Sequence, residues 1–485
     1  MKKKYGLFKV LTVLLLIVVV LTYCVKGRQD AISRLALGDV FFNYLQSFYY
    51  FFDTAIFIFV VGGFYGLLNK IPGYKKLVNN IADKVSSKSK LFVIIMTIVF
   101  ALVSSLTGLN VLLLIFVPFV VSIILLLGYD KLVALSSTIG GVLVGLIGGI
   151  FLTFKDATSQ YAVAYTTFDK LVGLDSHWDT LVPRILLLVV ALGLLVFYIV
   201  SHIKKTDNEE VSYDLTKEDN LYIEEKISTS KKVNTEEGKV RAWPVAVVMG
   251  ILIVLLILGY LPWVDLFGVS IFNDFHTWLT ELKVGEYVVF TNLISSSFGA
   301  FGTWANLGNY MMAVILMVVF AVILQLGYRV KFEDAMEGFI SGMKKMVPAA
   351  MLAILAYSVL VCVYNNGFIE TIIVNASEKF GDNAIIHSLI TMMGSVFNID
   401  LYYTTAGVFS VIVSNLTENA NLSVYALMFQ SLYGLVQLVG PTSILLIVGL
   451  SYLEVPYKTW LKYIWRFIVS LLIVILLILM IVSLL

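Results

Sequence analysis

Polar residues interrupt the apolar runs of this 485-residue chain in a repeating order. Ser104-Ser105-Leu106-Thr107-Gly108-Leu109-Asn110 and Phe397-Asn398-Ile399-Asp400-Leu401-Tyr402-Tyr403 sit inside hydrophobic sequence, and each is followed about 30 residues later by a second break. The second breaks are Ser136-Ser137-Thr138-Ile139-Gly140-Gly141 and Gln430-Ser431-Leu432-Tyr433-Gly434, running on to Gly440-Pro441-Thr442-Ser443. Backbone freed from helical bonding at membrane depth is tolerated only where protein or a watery cavity satisfies it. Paired breaks in two halves of one chain therefore point to a binding site between them, the pattern of a secondary transporter.

A membrane location follows from composition, since 59% of residues are hydrophobic and only 14% charged, too few charges to clothe a water-soluble globule. The apolar runs approach the roughly 20 residues that cross hydrocarbon and lack the alternation of an outer-membrane barrel, so the expected class is an all-α polytopic membrane protein. A net charge of +2, with the basic residues in short loops, points to no nucleic-acid partner. Cys24 and Cys362 are too far apart in sequence for a disulfide framework or a metal cluster. Lys2-Lys3-Lys4 before Leu11–Leu21 has the shape of a secretory signal. The bulky Tyr23 ahead of Cys24, and the spans that follow, favour an uncleaved first helix in the plasma membrane with its N-terminus in the cytoplasm.

Charge then sets direction. Lys70, Lys75, Lys76, Lys84, Lys88 and Lys90 against the lone Asp83 mark the loop 69–90 as cytoplasmic. Leu91–Val103, about 13 residues or roughly 20 Å of helix, is too short to cross, and Val111–Leu127 returns to Tyr129-Asp130-Lys131. This reads as a re-entrant hairpin open to the cytoplasm. Ala384–Val396 and Thr404–Val413 read as a second hairpin, open outward. The N-terminal membrane half is residues 1–203, the mixed-charge stretch 204–242 is expected to be a cytoplasmic linker unable to bury a core, and 243–485 is the C-terminal half. Residues 51–203 and 347–485 then run the same series in opposite directions, an inverted repeat suited to alternating access. The path of 286–313 is left open, because Ser295-Ser296-Ser297-Phe298-Gly299 is too polar for a clean span.

Exposed helix ends at such breaks offer N–H groups to anions and carbonyls to Na⁺. The expected substrate or ion ligands are Ser104, Ser105, Thr107 and Asn110 with Ser136, Ser137, Thr138, Gly140 and Gly141 in the first half. In the second they are Asn398, Asp400, Thr404 and Thr405 with Gln430, Ser431, Gly434, Gln437, Thr442 and Ser443. For any single Ser or Thr the competing reading is a hydroxyl bonded back to its own helix. An ionised Asp400 deep in an apolar segment would cost at least about 2.5 kcal/mol, so its expected partner is Na⁺, a proton or a cationic group on the substrate, unless its hairpin sits shallow and wet. A Na⁺ site is expected near Asn110 and Asp400, and no cofactor. Gly62-Gly63 and Gly66 read as close helix packing, while Glu370 and Lys155-Asp156 read as surface or gate residues. His177, His202, His276 and His387 fall in loops or at segment ends, so nothing suggests an enzyme.

Gly62-Gly63-Phe64-Tyr65-Gly66-Leu67-Leu68, the turn Leu127-Gly128-Tyr129-Asp130, Gln430-Ser431-Leu432-Tyr433-Gly434-Leu435-Val436 with Gly440-Pro441-Thr442-Ser443, and Val455-Pro456-Tyr457-Lys458-Thr459-Trp460-Leu461-Lys462 carry a resemblance. Over nearly its whole length the chain resembles the YfcC-like branch of the anaerobic four-carbon-dicarboxylate carriers, within the ion transporter superfamily. The resemblance implies a two-hairpin, elevator-type carrier, usually dimeric, that moves organic acids or amino acids with an ion gradient. Leu106 and Leu109 at one tip and Asn398-Ile399-Asp400 at the other depart from the small residues usual there, so the substrate does not carry over. An acidic site residue fits an amino acid better than a bare dicarboxylate, yet helix ends can bind a carboxylate without any arginine. The expected function is a secondary transporter of amino acids or small carboxylates, coupled to Na⁺ or H⁺ or exchanging. A Na⁺/H⁺ antiporter is the alternative within a similar fold. A channel or membrane scaffold is the alternative of another class, and reciprocal breaks weigh against it because a pore needs none.

Overall fold

Apolar length sets the architecture. The computed structural model describes residues 6–25, 34–155, 165–168, 172–174, 180–208, 215, 219–222, 240–261, 263, 267–289, 310–397, 401–418 and 420–484, and these are almost all helical. The N-terminal half contributes α1 (Gly6–Cys24), α2 (Leu37–Tyr50), α3 (Phe52–Leu68), α4 (Pro72–Val85), α5 (Ser89–Thr107), α6 (Val117–Leu126), α7 (Lys131–Ile147) and α8 (Leu181–Asp207). The C-terminal half contributes α9 (Trp243–Tyr260), α10 (Ile271–Glu281), α11 (Tyr310–Gly327), α12 (Phe332–Tyr364), α13 (Phe368–Phe380), α14 (Ala384–Phe397), α15 (Leu401–Ser414), α16 (Leu422–Gln437), α17 (Ile444–Tyr452) and α18 (Tyr457–Leu484). Among the described residues six segments are long and apolar enough to cross a membrane, or seven if α2 and α3, bent by 62° at Phe51, count together as one span. Two antiparallel strand pairs, Thr153–Lys155 with Tyr165–Thr167 and Lys283–Val284 with Tyr287–Val288, complete the described structure.

The framework is a crossing of α3 and α12 in which backbones touch. A Cβ built on Gly62 would lie 2.6 Å from the carbonyl oxygen of Gly342, and one on Gly338 2.6 Å from that of Gly66. No side chain fits between, so dispersion contact extends over whole turns, the means by which helices associate where the hydrophobic effect is absent. The glycines read as close packing from the sequence thus have that role.

Two segments leave and return to the same end. Ser89 at the start of α5 meets Tyr129 just after α6, hydroxyl to hydroxyl at 2.8 Å. Asp382 before α14 accepts from the backbone N–H of Thr417 after α15 at 3.2 Å. Leu91–Val103, expected from the sequence to be too short to cross, belongs to a longer helix that counts among the segments long enough to do so. That helix is Ser89–Thr107, 19 residues, because the polar residues at its end continue the helix: Thr107 Oγ1 donates back to the Val103 carbonyl at 2.6 Å. Only Gly108, at φ 73°, stops it.

The second break of the first half lies later than expected, and of the one in the second half only the Gly440-Pro441-Thr442-Ser443 part coincides with a loss of helix. Ser136–Gly140 is a π-helical turn inside a continuous α7, and the helix is lost only at Gly148. Gln430 to Gly434 is uninterrupted α16, and the loss of helix falls at 438–443. Ser136, Thr138 and Ser431 donate back to carbonyls of their own helices and Ser137 to the Val93 carbonyl of α5, so hydroxyl content alone does not unwind a segment.

The stretch between the halves also behaves differently from a bare linker. Leu221 and Tyr222 are buried against the membrane helices, so at least these residues contribute to a core.

Candidate functional site

Gly148 to Phe151, where α7 ends, is held by the end of α5. Ser105 Oγ donates to the Gly148 carbonyl at 2.8 Å, and the N–H groups of Ile150 and Phe151 donate to the Ser105 carbonyl at 2.8 and 3.0 Å. The hairpin tip thus supplies partners that the broken helix lacks. Close approach makes this possible: a Cβ on Gly141 would sit 2.9 Å from the Thr97 carbonyl and one on Gly145 2.8 Å from Ser104 Cβ.

The other half reaches the same place. Gln430 on α16 donates its amide Nε2 to the Gly149 carbonyl at 2.9 Å, and Gly434, one turn on, lets the helix lie against the backbone of Ile147. Gln430, Gly434 and Gln437 are spaced i, i+4, i+7 and share one face. That face carries the site over about 10 Å from the first break to the second, at 438–443. There Thr442 Oγ1 donates to the Val396 carbonyl at 2.7 Å, tying the second break to the end of α14 as Ser105 ties the first to α5.

Four buried polar atoms along this path have no hydrogen-bond partner among the described residues: Ser104 Oγ, Gln430 Oε1, Gln437 Nε2 and Ser443 Oγ. Unmade hydrogen bonds on buried groups cost about 1–3 kcal/mol each, which makes these four atoms the candidates for contact with a further polar group. Ser443 stands at the N-cap of α17, yet its side chain makes no capping bond, which leaves the first-turn N–H groups of that helix without the usual acceptor.

Other expected ligands are otherwise engaged. Ser136 Oγ donates to the Leu132 carbonyl and to Tyr463, Ser137 Oγ to the Val93 carbonyl at 3.1 Å, and Thr138 Oγ1 to the Ala134 carbonyl at 2.7 Å. Thr405 Oγ1 and Ser431 Oγ bond back to Leu401 and Leu427. Thr404 is fully buried beside Thr405 on α15. Thr107 Oγ1 accepts from Leu109 N–H, and Asn110 caps the turn that follows by accepting from Val111 N–H at 2.5 Å. Asn110 therefore serves the hairpin backbone. Gly140 has no neighbour closer than 3.7 Å to a built Cβ, whereas Gly141 packs tightly. Asn398 and Asp400 lie outside the described residues.

Comparison with known proteins adds the family. The chain matches the profile of DcuC, the C4-dicarboxylate anaerobic carrier, over residues 41–484. It belongs to that family. No curated protein matches it. A crystal structure of the Alcanivorax borkumensis YdaH transporter, described as having an unusual topology, is similar at 12% identity with a TM-score of 0.35, covering 100% of this chain and 98% of that one.

The carrier also buries a charge that sequence reasoning passed over. Arg184, near the start of α8, is fully buried, donates Nη1 to the Ile150 carbonyl at 3.3 Å and stands 5.8 Å from the Phe168 ring centre. In sequence it follows Pro183 at the edge of a loop, and a single arginine opening an apolar run was the available signal. Gly148 and Gly149 were likewise visible as a pair but overshadowed by the Ser-rich stretch before them.

Proposed function

We propose that this carrier is a secondary active transporter of small carboxylates, with the C4-dicarboxylates of its family's name as the first class to test. The observation that supports this most is the second break. Gln437 Nε2 at the end of α16 and Ser443 Oγ at the N-cap of α17 are both buried without a hydrogen-bond partner among the described residues, and no side chain caps the α17 N-terminus. Amide, hydroxyl and first-turn N–H groups together are donors of the kind a carboxylate needs, and the helix dipole favours its charge. Ser104 Oγ at the first break is a further donor, reached along the shared face of α16.

In this reading the protein lies in the plasma membrane with its lysine-rich face and N-terminus in the cytoplasm, following the basic loop 69–90. The two halves form an inverted repeat with re-entrant hairpins, a reading supported by the paired closures and by the matching ties from Ser105 and Thr442. Movement is of the elevator type, Na⁺ or H⁺ is the coupling ion unless the carrier exchanges substrates, and the working unit is a homodimer.

Uptake of labelled succinate, fumarate and aspartate into proteoliposomes, under an imposed Na⁺ gradient, a H⁺ gradient or a load of internal substrate, tests the proposal. Saturable dicarboxylate uptake that responds to one of these is expected. Uptake of monoamino, monocarboxylic acids alone would move the substrate to amino acids, and Na⁺/H⁺ exchange without solute would make the protein an antiporter.

A further inference from the structure

The charged stretch 204–242 enters the lysine-rich face at residues 219–222 and bonds there to four helices and to the residue that caps a fifth. Asp219, half-buried, accepts from Ser122 of α6 through Oδ2 and from Tyr452 of α17 through Oδ1, both at 2.7 Å. The Asn220 carbonyl accepts from Lys345 Nζ of α12 at 2.5 Å, and the Leu221 carbonyl from the side-chain amide of Asn69 just after α3. Tyr222 donates its hydroxyl to Asn79 of α4 at 3.1 Å and sets its ring edge-on to Tyr74 at 6.2 Å. Ser122 and Tyr452 belong to elements that carry the first hairpin and the second break. Asn69 and Lys345 belong to the glycine-clamped framework.

The contact has the character of a dock. An open cleft of about 250 Å³, lined by Gly66, Asn69, Lys70, Leu221, Glu337 and Lys345 among others, lies beside the segment. Within it Asn69 Oδ1 is buried without a hydrogen-bond partner among the described residues. Most of the bonds are polar and made through main-chain carbonyls or single side chains, so they can be exchanged for water without collapse of the helices beneath.

We propose that residues 219–222 are a strap that fastens the binding elements to the framework on the lysine-rich side, and that it must leave before the site opens toward that side. Asp219 is the catch, because it is the residue bonded to both of the elements that would move. The proposal rests on the transporter reading, yet its test needs no substrate. In a protein lacking Cys24 and Cys362, a cysteine placed at Asn220 reports whether the strap is seated, and in a separate protein a cysteine at Gln437 reports whether the site is open. Both are probed with a membrane-impermeant maleimide applied to the lysine-rich face.

Asp219→Ala and Tyr452→Phe are each expected to raise the labelling rate at both positions about tenfold, what the loss of one hydrogen bond to a charged group gives. Should Asp219→Ala fail to fold, Tyr452→Phe, which removes one hydroxyl, decides the matter. Faster labelling at Asn220 with an unchanged rate at Gln437 would overturn the proposal by showing a purely local contact. An unchanged rate at Asn220 would overturn it by showing that Asp219 is not the catch. Failure of the transporter reading would appear separately, as absence of uptake by the unaltered protein.

Discussion

Gln437, Ser443 and Ser104 differ from the other hydroxyl and amide donors of the breaks in one respect: among the described residues their donors have no acceptor. Replacing Gln437 by Leu or Ser443 by Ala should weaken dicarboxylate binding about tenfold, the worth of a hydrogen bond to an ionised partner, with little change in melting temperature. Thr138→Ala should do the reverse, costing about 0.5–1.5 kcal/mol of stability with unchanged affinity, since its hydroxyl bonds to the Ala134 carbonyl. Isothermal titration and thermal unfolding of the purified variants separate the two classes. The sequence names all these residues but cannot sort them, because whether a hydroxyl turns back onto its own helix is decided by rotamer and neighbours.

Asp219 adds a dependence on pH. Removal from water raises its carboxyl above the ordinary carboxylate range, opposed by hydrogen bonds from Tyr452, Ser122 and backbone N–H groups. The seated strap therefore holds the proton more tightly than the free strap, so seating is strongest below the free carboxyl's pKa and weakens as pH rises through the raised value. Tyr65, Tyr74, Tyr222, Tyr452 and Lys345 are the other titratable groups around it. The mobile fraction of a spin label at Asn220 should rise from acid pH to a plateau, and Asp219→Asn should remove the rise.

At the scale of elements, glycines decide what can touch. Gly342→Val should prevent the α3–α12 crossing, since a Cβ there meets the Gly62 carbonyl, and should abolish the monodisperse peak in detergent chromatography. Gly141→Ala should cost stability because its Cβ would fall 2.9 Å from the Thr97 carbonyl. Gly140→Ala, with 3.7 Å to its nearest neighbour, should be neutral or stabilising by up to about 1 kcal/mol. Adjacent in sequence and read alike there, the two are told apart only by which side of α7 faces α5. The spans were legible because apolar length and basic loops are local signals. The second break of the first half was displaced because a π turn at Ser136–Gly140 absorbs polar residues without losing the helix, while the loss at Gly148 shows in sequence only as a pair of small residues.

At the scale of the whole molecule, α16 joins the halves. Its face Gln430–Gly434–Gln437 touches the first break and extends to the second, an arrangement whose spacing is present in the sequence but whose partner across the molecule is not. The seating of residues 219–222 was hidden for a related reason, since charge density predicts solvation and gives no sign of a dock. Both features depend on pairs far apart in the chain.

The central claim, one site shared by two halves and presented to each side in turn, is tested most directly by a cysteine at Gln430 in a protein without Cys24 and Cys362. It would be labelled by an impermeant reagent in right-side-out and in inverted vesicles, with and without succinate. Labelling from both faces, slowed on both by the dicarboxylate, is the predicted result. Labelling from one face only, indifferent to dicarboxylates and amino acids alike, would contradict it.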